Sequence, residues 1–168
     1  MKGSQLLVDG FGRVAQTTQR VLDGLDAEAL TFRADRKANT IAWLVWHLTR
    51  VQDDHLADAF GGEQVWLSQG WADQFQLPFQ PSATGYGQTA EEVAAVRAPG
   101  TLLLGYLDAT HSKTIDYLGT VSDGDLDRVV DNSWDPPVTL AVRLISVISD
   151  GLQHAGQAAF VRGIYERR

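Results

Sequence analysis

Ile148-Ser149-Asp150-Gly151-Leu152-Gln153-His154-Ala155-Gly156-Gln157 sits inside a proline-free segment, Thr139 to Arg167, near the C-terminal end of a 168-residue chain. At 3.6 residues per turn, such a segment makes one helix of about seven or eight turns. Asp150 and His154 are four residues apart, so on a helix they stack on one face and reach the same small object. Gln157 continues that stripe. A carboxylate and an imidazole at this spacing form half of a metal or acid–base site, and the other half must come from elsewhere. The histidine best placed to supply it is His47, in Thr40-Ile41-Ala42-Trp43-Leu44-Val45-Trp46-His47-Leu48.

Working outward, that second stretch opens a helix that Asn39 or Thr40 can cap and Gly61-Gly62 stops, so it ends near Phe60. Its most apolar stripe is Ile41, Leu44, Val45, Leu48, Val51, His55 and Leu56. His47 lies on the shoulder of the stripe with Trp43, Arg50 and Asp54, and periodicity alone makes His55 the more inward histidine. An earlier helix, Gln5 to Leu25, follows from Leu7, Phe11, Val14, Thr18, Val21, Leu22 and Leu25. Asp26 to Leu30 adds a short turn. Thr89-Ala90-Glu91-Glu92 has capping-box spacing and opens a further helix. Ala98-Pro99-Gly100 interrupts it, and it resumes from Thr101 to between Tyr117 and Val121. Two long connections remain, Gly61–Gln88 and Ser122–Thr139. Loops of this length in a compact domain often line a site. Four long amphipathic segments with long crossovers predict an all-α four-helix bundle, one domain spanning residues 1–168.

Composition narrows the function. A net charge of −7 leaves no basic stripe to neutralise phosphates, so nucleic acid is not an expected partner. No cysteine is present, so any metal must be held by His, Asp, Glu or water, and there is no thiol nucleophile. Met1 to Gln5 carries no signal-peptide run and no segment approaches a membrane span, which predicts a soluble, cytoplasmic protein with no membrane partner. Ser/His/Asp triads, phosphate-cradling loops and nucleotide fingerprints are missing; Gly10-Phe11-Gly12 lies in a helical pattern, not after a strand.

The string Asn39 to Leu48, together with Asp150-Gly151-Leu152-Gln153-His154-Ala155-Gly156-Gln157 and the following Arg162, resembles the two motifs of the DinB-like superfamily. The two long connections fall where that fold has its long loops, so the resemblance covers essentially the whole chain. It implies a helical bundle holding a divalent metal through one side chain of the second long helix and two of the last, which maps onto His47, Asp150 and His154. The superfamily's usual pattern has histidine at all three places, and this sequence departs from it with Asp150. Related branches carry a carboxylate there.

Two imidazoles and one carboxylate suit Zn²⁺, and they also match open non-haem Fe(II) sites; Ni and Mn are further possibilities. Three protein ligands leave positions for water or substrate. Asp150 has a second reading, as an acceptor holding a histidine N–H. Gln157, Asp54, Arg162, Trp66 and Trp134 are expected beside the ligands or facing substrate, with the tryptophans walling an apolar pocket or simply anchoring the loops. His55 and His111 read as core or inter-helix hydrogen-bonding residues, and Asp53-Asp54 as a solvated pair. The superfamily includes transferases that use low-molecular-weight thiols such as mycothiol or bacillithiol, a mycothiol-dependent maleylpyruvate isomerase, and helical domains of iron-dependent sulfoxide synthases. The chain has no room for the second domain of those synthases, and its His-Ala-Gly-Gln string with Arg162 resembles the transferase branch. The resemblance therefore implies a thiol S-transferase acting on small electrophiles, as a homodimer. The alternative is a non-catalytic metal-binding or structural bundle whose site is vestigial, which the loss of one imidazole at position 150 favours.

Overall fold

The computed structural model describes residues 2–168. It is mostly helical: α1 Gly3–Leu22, α2 Ala27–Thr31, α3 Ile41–Phe60, α4 Val65–Ser68, α5 Trp71–Phe75, α6 Ala90–Ala95, α7 Gly100–Gly119 and α8 Leu140–Glu166. α1 packs on α7 and α8, and α3 packs on the same two, so the four long helices close a ring around a shared interior. The all-α architecture expected from the sequence is the one found.

Local chemistry sets the boundaries. The Thr40 hydroxyl accepts from the Trp43 amide at the start of α3, and Gly61 ends it in the left-handed region at φ 62°. The Thr89–Glu92 capping box is complete and opens α6. Pro99 does more than kink a helix: α6 stops at Ala95 and α7 starts anew with Pro99 as its N-cap, because proline cannot donate to the preceding turn and disfavours helix at Ala98. The connection after α7 contains a short antiparallel pair that periodicity did not indicate, β1 Val129–Asp131 with β2 Val138–Thr139. Thr139 then caps α8.

The interior divides along the ring. At one end Leu7, Phe11, Leu56, Leu118, Leu140, Leu144 and Val147 make a core dominated by leucine. At the other, Trp43, Trp46, Trp66, Phe75 and Tyr106 bring aromatic rings against Leu44, Val45 and Leu103. Gly151 matters to α8's placement, because a Cβ there would stand 2.8 Å from Val14 Cγ1 and push α1 away just beside Asp150. No helix among the described residues is long and apolar enough to cross a membrane.

Candidate metal centre

α3 and α8 lie side by side, and their contact brings His47, Asp150 and His154 together with one ligating atom from each within 4.8 Å of the others. His154 Nε2 is 3.4 Å from Asp150 Oδ1. The His47 and His154 rings meet edge to face, centroids 4.8 Å apart. His47 is buried, whereas Asp150 and His154 remain partly open to solvent.

The hydrogen bonds around the two imidazoles orient them alike. His47 Nδ1 pairs with the Thr84 carbonyl, which can only accept, so the proton sits on Nδ1 and Nε2 keeps its lone pair. His154 Nδ1 pairs with Gln157 Oε1 at 3.2 Å, which turns Nε2 toward Asp150 Oδ1. Fixing the far nitrogen in this way is how proteins set the tautomer and aim of a ligating histidine. Asp150 supplies the observation on which a cation's fit turns. Its Oδ2 is buried and has no hydrogen-bond partner among the described residues. A desolvated carboxylate oxygen without a donor is costly, and a divalent cation held with the two Nε2 atoms would satisfy it. The donor set of two imidazoles and one carboxylate suits Zn²⁺ and fits a three-ligand site with an open position.

Electrostatics separate the two histidines. Burial holds His47 below the usual histidine value, opposed by the Thr84 carbonyl. The hydrogen bond to Asp150 lifts His154 above it. His47 thus stays neutral and ready to ligate, while a metal must displace the proton that His154 shares with Asp150.

The other singled-out residues are placed as follows. Asp54 accepts from Gln64 Nε2 at 2.7 Å. The Arg162 guanidinium donates through one nitrogen to the carbonyls of Arg20, Val21 and Asp23 at the end of α1, and through Nε to Glu166. Trp66 is enclosed by Trp46, Phe75 and Tyr106. With Trp46, Leu77 and Phe79 it lines a cavity of about 200 Å³. Trp134 is 67% exposed. His55 is half-buried and pairs with Arg143. Periodicity ranked it more inward than His47, and the structure reverses that order because the loop through Thr84 and Gly85 covers the shoulder where His47 sits. Asp53 is not solvated as the Asp53-Asp54 pair suggested: it is 4% exposed and accepts from the Val65 and Trp66 amides and the Tyr106 hydroxyl.

Two neighbours of the site were missed. Trp43 stacks on His47 with centroids 4.5 Å apart and planes 15° from parallel, and its edge faces His154. Its spacing of four residues from His47 was the available signal. The Thr84 carbonyl, being backbone in an irregular loop, left none. Along α8, an open groove of about 650 Å³ lined by Val142, Ile145, Ser149 and Gln153 reaches Asp150.

A family model described as mycothiol-S-transferase matches residues 6–166. The chain belongs to the mycothiol-S-transferase family. The helical architecture agrees with what the two sequence motifs implied, and His47, Asp150 and His154 form a group that could hold a metal ion. A solved structure described as the conserved protein of locus from Enterococcus faecalis is similar at 32% identity, covers 96% of each chain and superposes with a TM-score of 0.89. No curated protein matches the chain.

Proposed function

We propose that the protein is a divalent-metal-dependent thiol S-transferase, with His47, Asp150 and His154 as the metal ligands and a mycothiol-type thiol as cosubstrate. The observation that carries the metal is the buried, unpartnered Oδ2 of Asp150 beside two imidazoles, His47 with Nε2 free and His154 with Nε2 turned toward Asp150. The family supports the thiol. A bound cation at such a centre stabilises the thiolate, the nucleophilic form of the cosubstrate.

The chain's own residues do the rest. Trp43 and the buried wall behind His47 keep water from that side, while the more exposed His154 and Asp150 leave the α8 side open to substrate. The groove beside Asp150 places apolar Val142 and Ile145 next to polar Ser149 and Gln153, which suits a small organic electrophile approaching the thiol. In the reaction the thiol loses its proton to solvent and its sulfur bonds to an electrophilic carbon, as a leaving group departs or a double bond takes up the electron pair. Zn²⁺ is the proposed metal, from the nitrogen and oxygen donor set. A homodimer belongs to the same reading, supported by the exposed apolar Leu152 and Phe160 on α8; sedimentation as a monomer alone would remove it.

Incubating Zn²⁺-loaded protein with mycothiol and an electrophile, and measuring the thioether by mass spectrometry, tests the activity. Product formation lost in His154→Ala supports it. Stoichiometric metal with no thioether from mycothiol, bacillithiol or another small thiol returns the protein to the non-catalytic metal-binding reading.

A further inference from the structure

Residues 80–88 contain no helix or strand, yet their backbone lies directly against the deepest part of the centre. Three side chains of α3 hold this segment. Arg50 donates from Nε to the Ala83 carbonyl at 3.1 Å and from a terminal nitrogen to the Pro81 carbonyl at 3.5 Å. His47 pairs with the Thr84 carbonyl. Trp43 Nε1 donates to Gln88 Oε1 at 2.7 Å. Positions 43, 47 and 50 follow the i, i+4, i+7 spacing of one helical face. As the helix advances from 43 to 50, the loop runs back from 88 to 81. The loop is therefore strapped antiparallel along one face of α3.

Arg50 is the anchor. It is fully buried, its second terminal contacts are Gln64 Oε1 and the Tyr106 hydroxyl, and its guanidinium lies 5.0 Å from the centre of the Trp66 ring. Its nearest carboxylate is Asp53 at 3.8 Å. A planar fork reaching two loop carbonyls at once is something lysine cannot reproduce. Gly85 completes the strap. It holds φ +99°, and a Cβ there would fall 2.7 Å from His47 Nδ1 and 3.0 Å and 3.1 Å from the rings of Trp46 and Trp43. Only a residue without a side chain lets the strap lie this close.

We infer that Arg50 is a positioning residue for the metal centre: by fixing the Pro81–Gln88 strap it keeps the Thr84 carbonyl on His47 Nδ1, which holds His47 in one tautomer with Nε2 toward Asp150 and His154. His154 has no such dependence, because both of its ring nitrogens pair within α8, Nδ1 with Gln157 and Nε2 with Asp150. The inference rests on the proposed ligand role of His47, but its primary readout needs no metal, so loss of the metal reading and loss of the strap are told apart.

The test is long-range ¹H–¹⁵N correlation on metal-free, histidine-labelled protein at a pH where His47 is neutral, with His47→Ala to assign the signals. Wild-type His47 is expected as a single Nδ1-protonated tautomer. In Arg50→Lys and in Gly85→Ala a second His47 tautomer should grow while His154 is unchanged, and the Zn²⁺ dissociation constant should rise about 10- to 100-fold, the range seen when a ligand's hydrogen-bond partner is lost. If Arg50→Lys does not fold, Gly85→Ala decides. An unchanged His47 tautomer with Zn²⁺ affinity within twofold of wild type overturns the inference. So does equal disturbance of His47 and His154, which would mean general loosening rather than positioning.

Discussion

α3 buries 15 of its 20 residues, whereas α8 buries 7 of its 27. Both helices point side chains of the candidate centre at the same place, but from opposite surroundings. α3 delivers His47 from within a packed layer of tryptophans and a buried polar cluster of Arg50, Asp53 and Tyr106. α8 delivers Asp150 and His154 from a face that solvent reaches. The difference assigns distinct duties. α3 fixes the geometry and carries the fold with it, while α8 supplies the accessible, replaceable half of the centre. Substitutions on α3 should therefore cost stability and site together, and those on the open face of α8 should cost the site alone.

The largest expected effect tests the buried polar cluster. Asp53→Ala removes the carboxylate that accepts from two amides of α4 and from Tyr106, and leaves Arg50 buried beside no acid. Denaturant unfolding of the metal-free protein should show a loss of about 3–5 kcal/mol, as for removal of one partner from a buried charge pair. A loss near that of a surface substitution would mean that α3 does not carry the fold through this cluster. Next is a pair of aliphatic truncations. Leu44→Ala, at 1% exposure on α3, should cost about 2–5 kcal/mol through transfer and cavity terms. Ile145→Ala, at 59% exposure on α8, should stay within about 0.5 kcal/mol while impairing use of an apolar electrophile.

A smaller effect comes from protons. Burial pushes His55 and His111 below the usual histidine value. The unfolded chain thus binds more protons than the folded one between those lowered values and about 6.5, so stability is full above that window and falls as pH drops through it. His47 has the same sign. His154 has the opposite one: its raised value stabilises the metal-free fold below about 6.5, and that share is lost as pH rises through the raised value. The share that His111 contributes can be isolated: in metal-free protein, His111→Gln should lessen the loss of melting temperature between about pH 7.5 and about pH 5.5 relative to wild type. The smallest effect is the sharpest contrast with Asp53. Asp150→Ala in metal-free protein should shift stability by no more than about 0.5 kcal/mol, since it also removes a buried oxygen with no partner.

The ring of helices could be read from the apolar spacing of the long segments; Thr89 caps where its sequence context places it, and of Asn39 and Thr40 it is Thr40 that caps α3. The ligand group was legible only because a four-residue spacing on α8 met a familiar motif on α3. What stayed hidden lay in the connections. A helical wheel cannot know that a loop 37 residues away will cover one shoulder of α3, which is why His55 outranked His47 and why Arg50, placed on that same shoulder, carried no sign of its loop partners. Asp53 misled for the same reason: its partners are backbone amides of α4, whose approach depends on the Gly61-Gly62 turn rather than on any pattern near Asp53.

A single metal centre drawn from both helices needs His47, Asp150 and His154 together. Zn²⁺ titration of metal-free, tag-free protein, followed by thermal or denaturant unfolding, tests it most directly. One Zn²⁺ per chain is expected, with a stabilisation of about 2.7 kcal/mol at free Zn²⁺ of about 100 times the dissociation constant, and both should be lost in His154→Ala and in His47→Ala. Zn²⁺ that fails to bind, or that binds and stabilises His154→Ala as well as the unaltered protein, would contradict it.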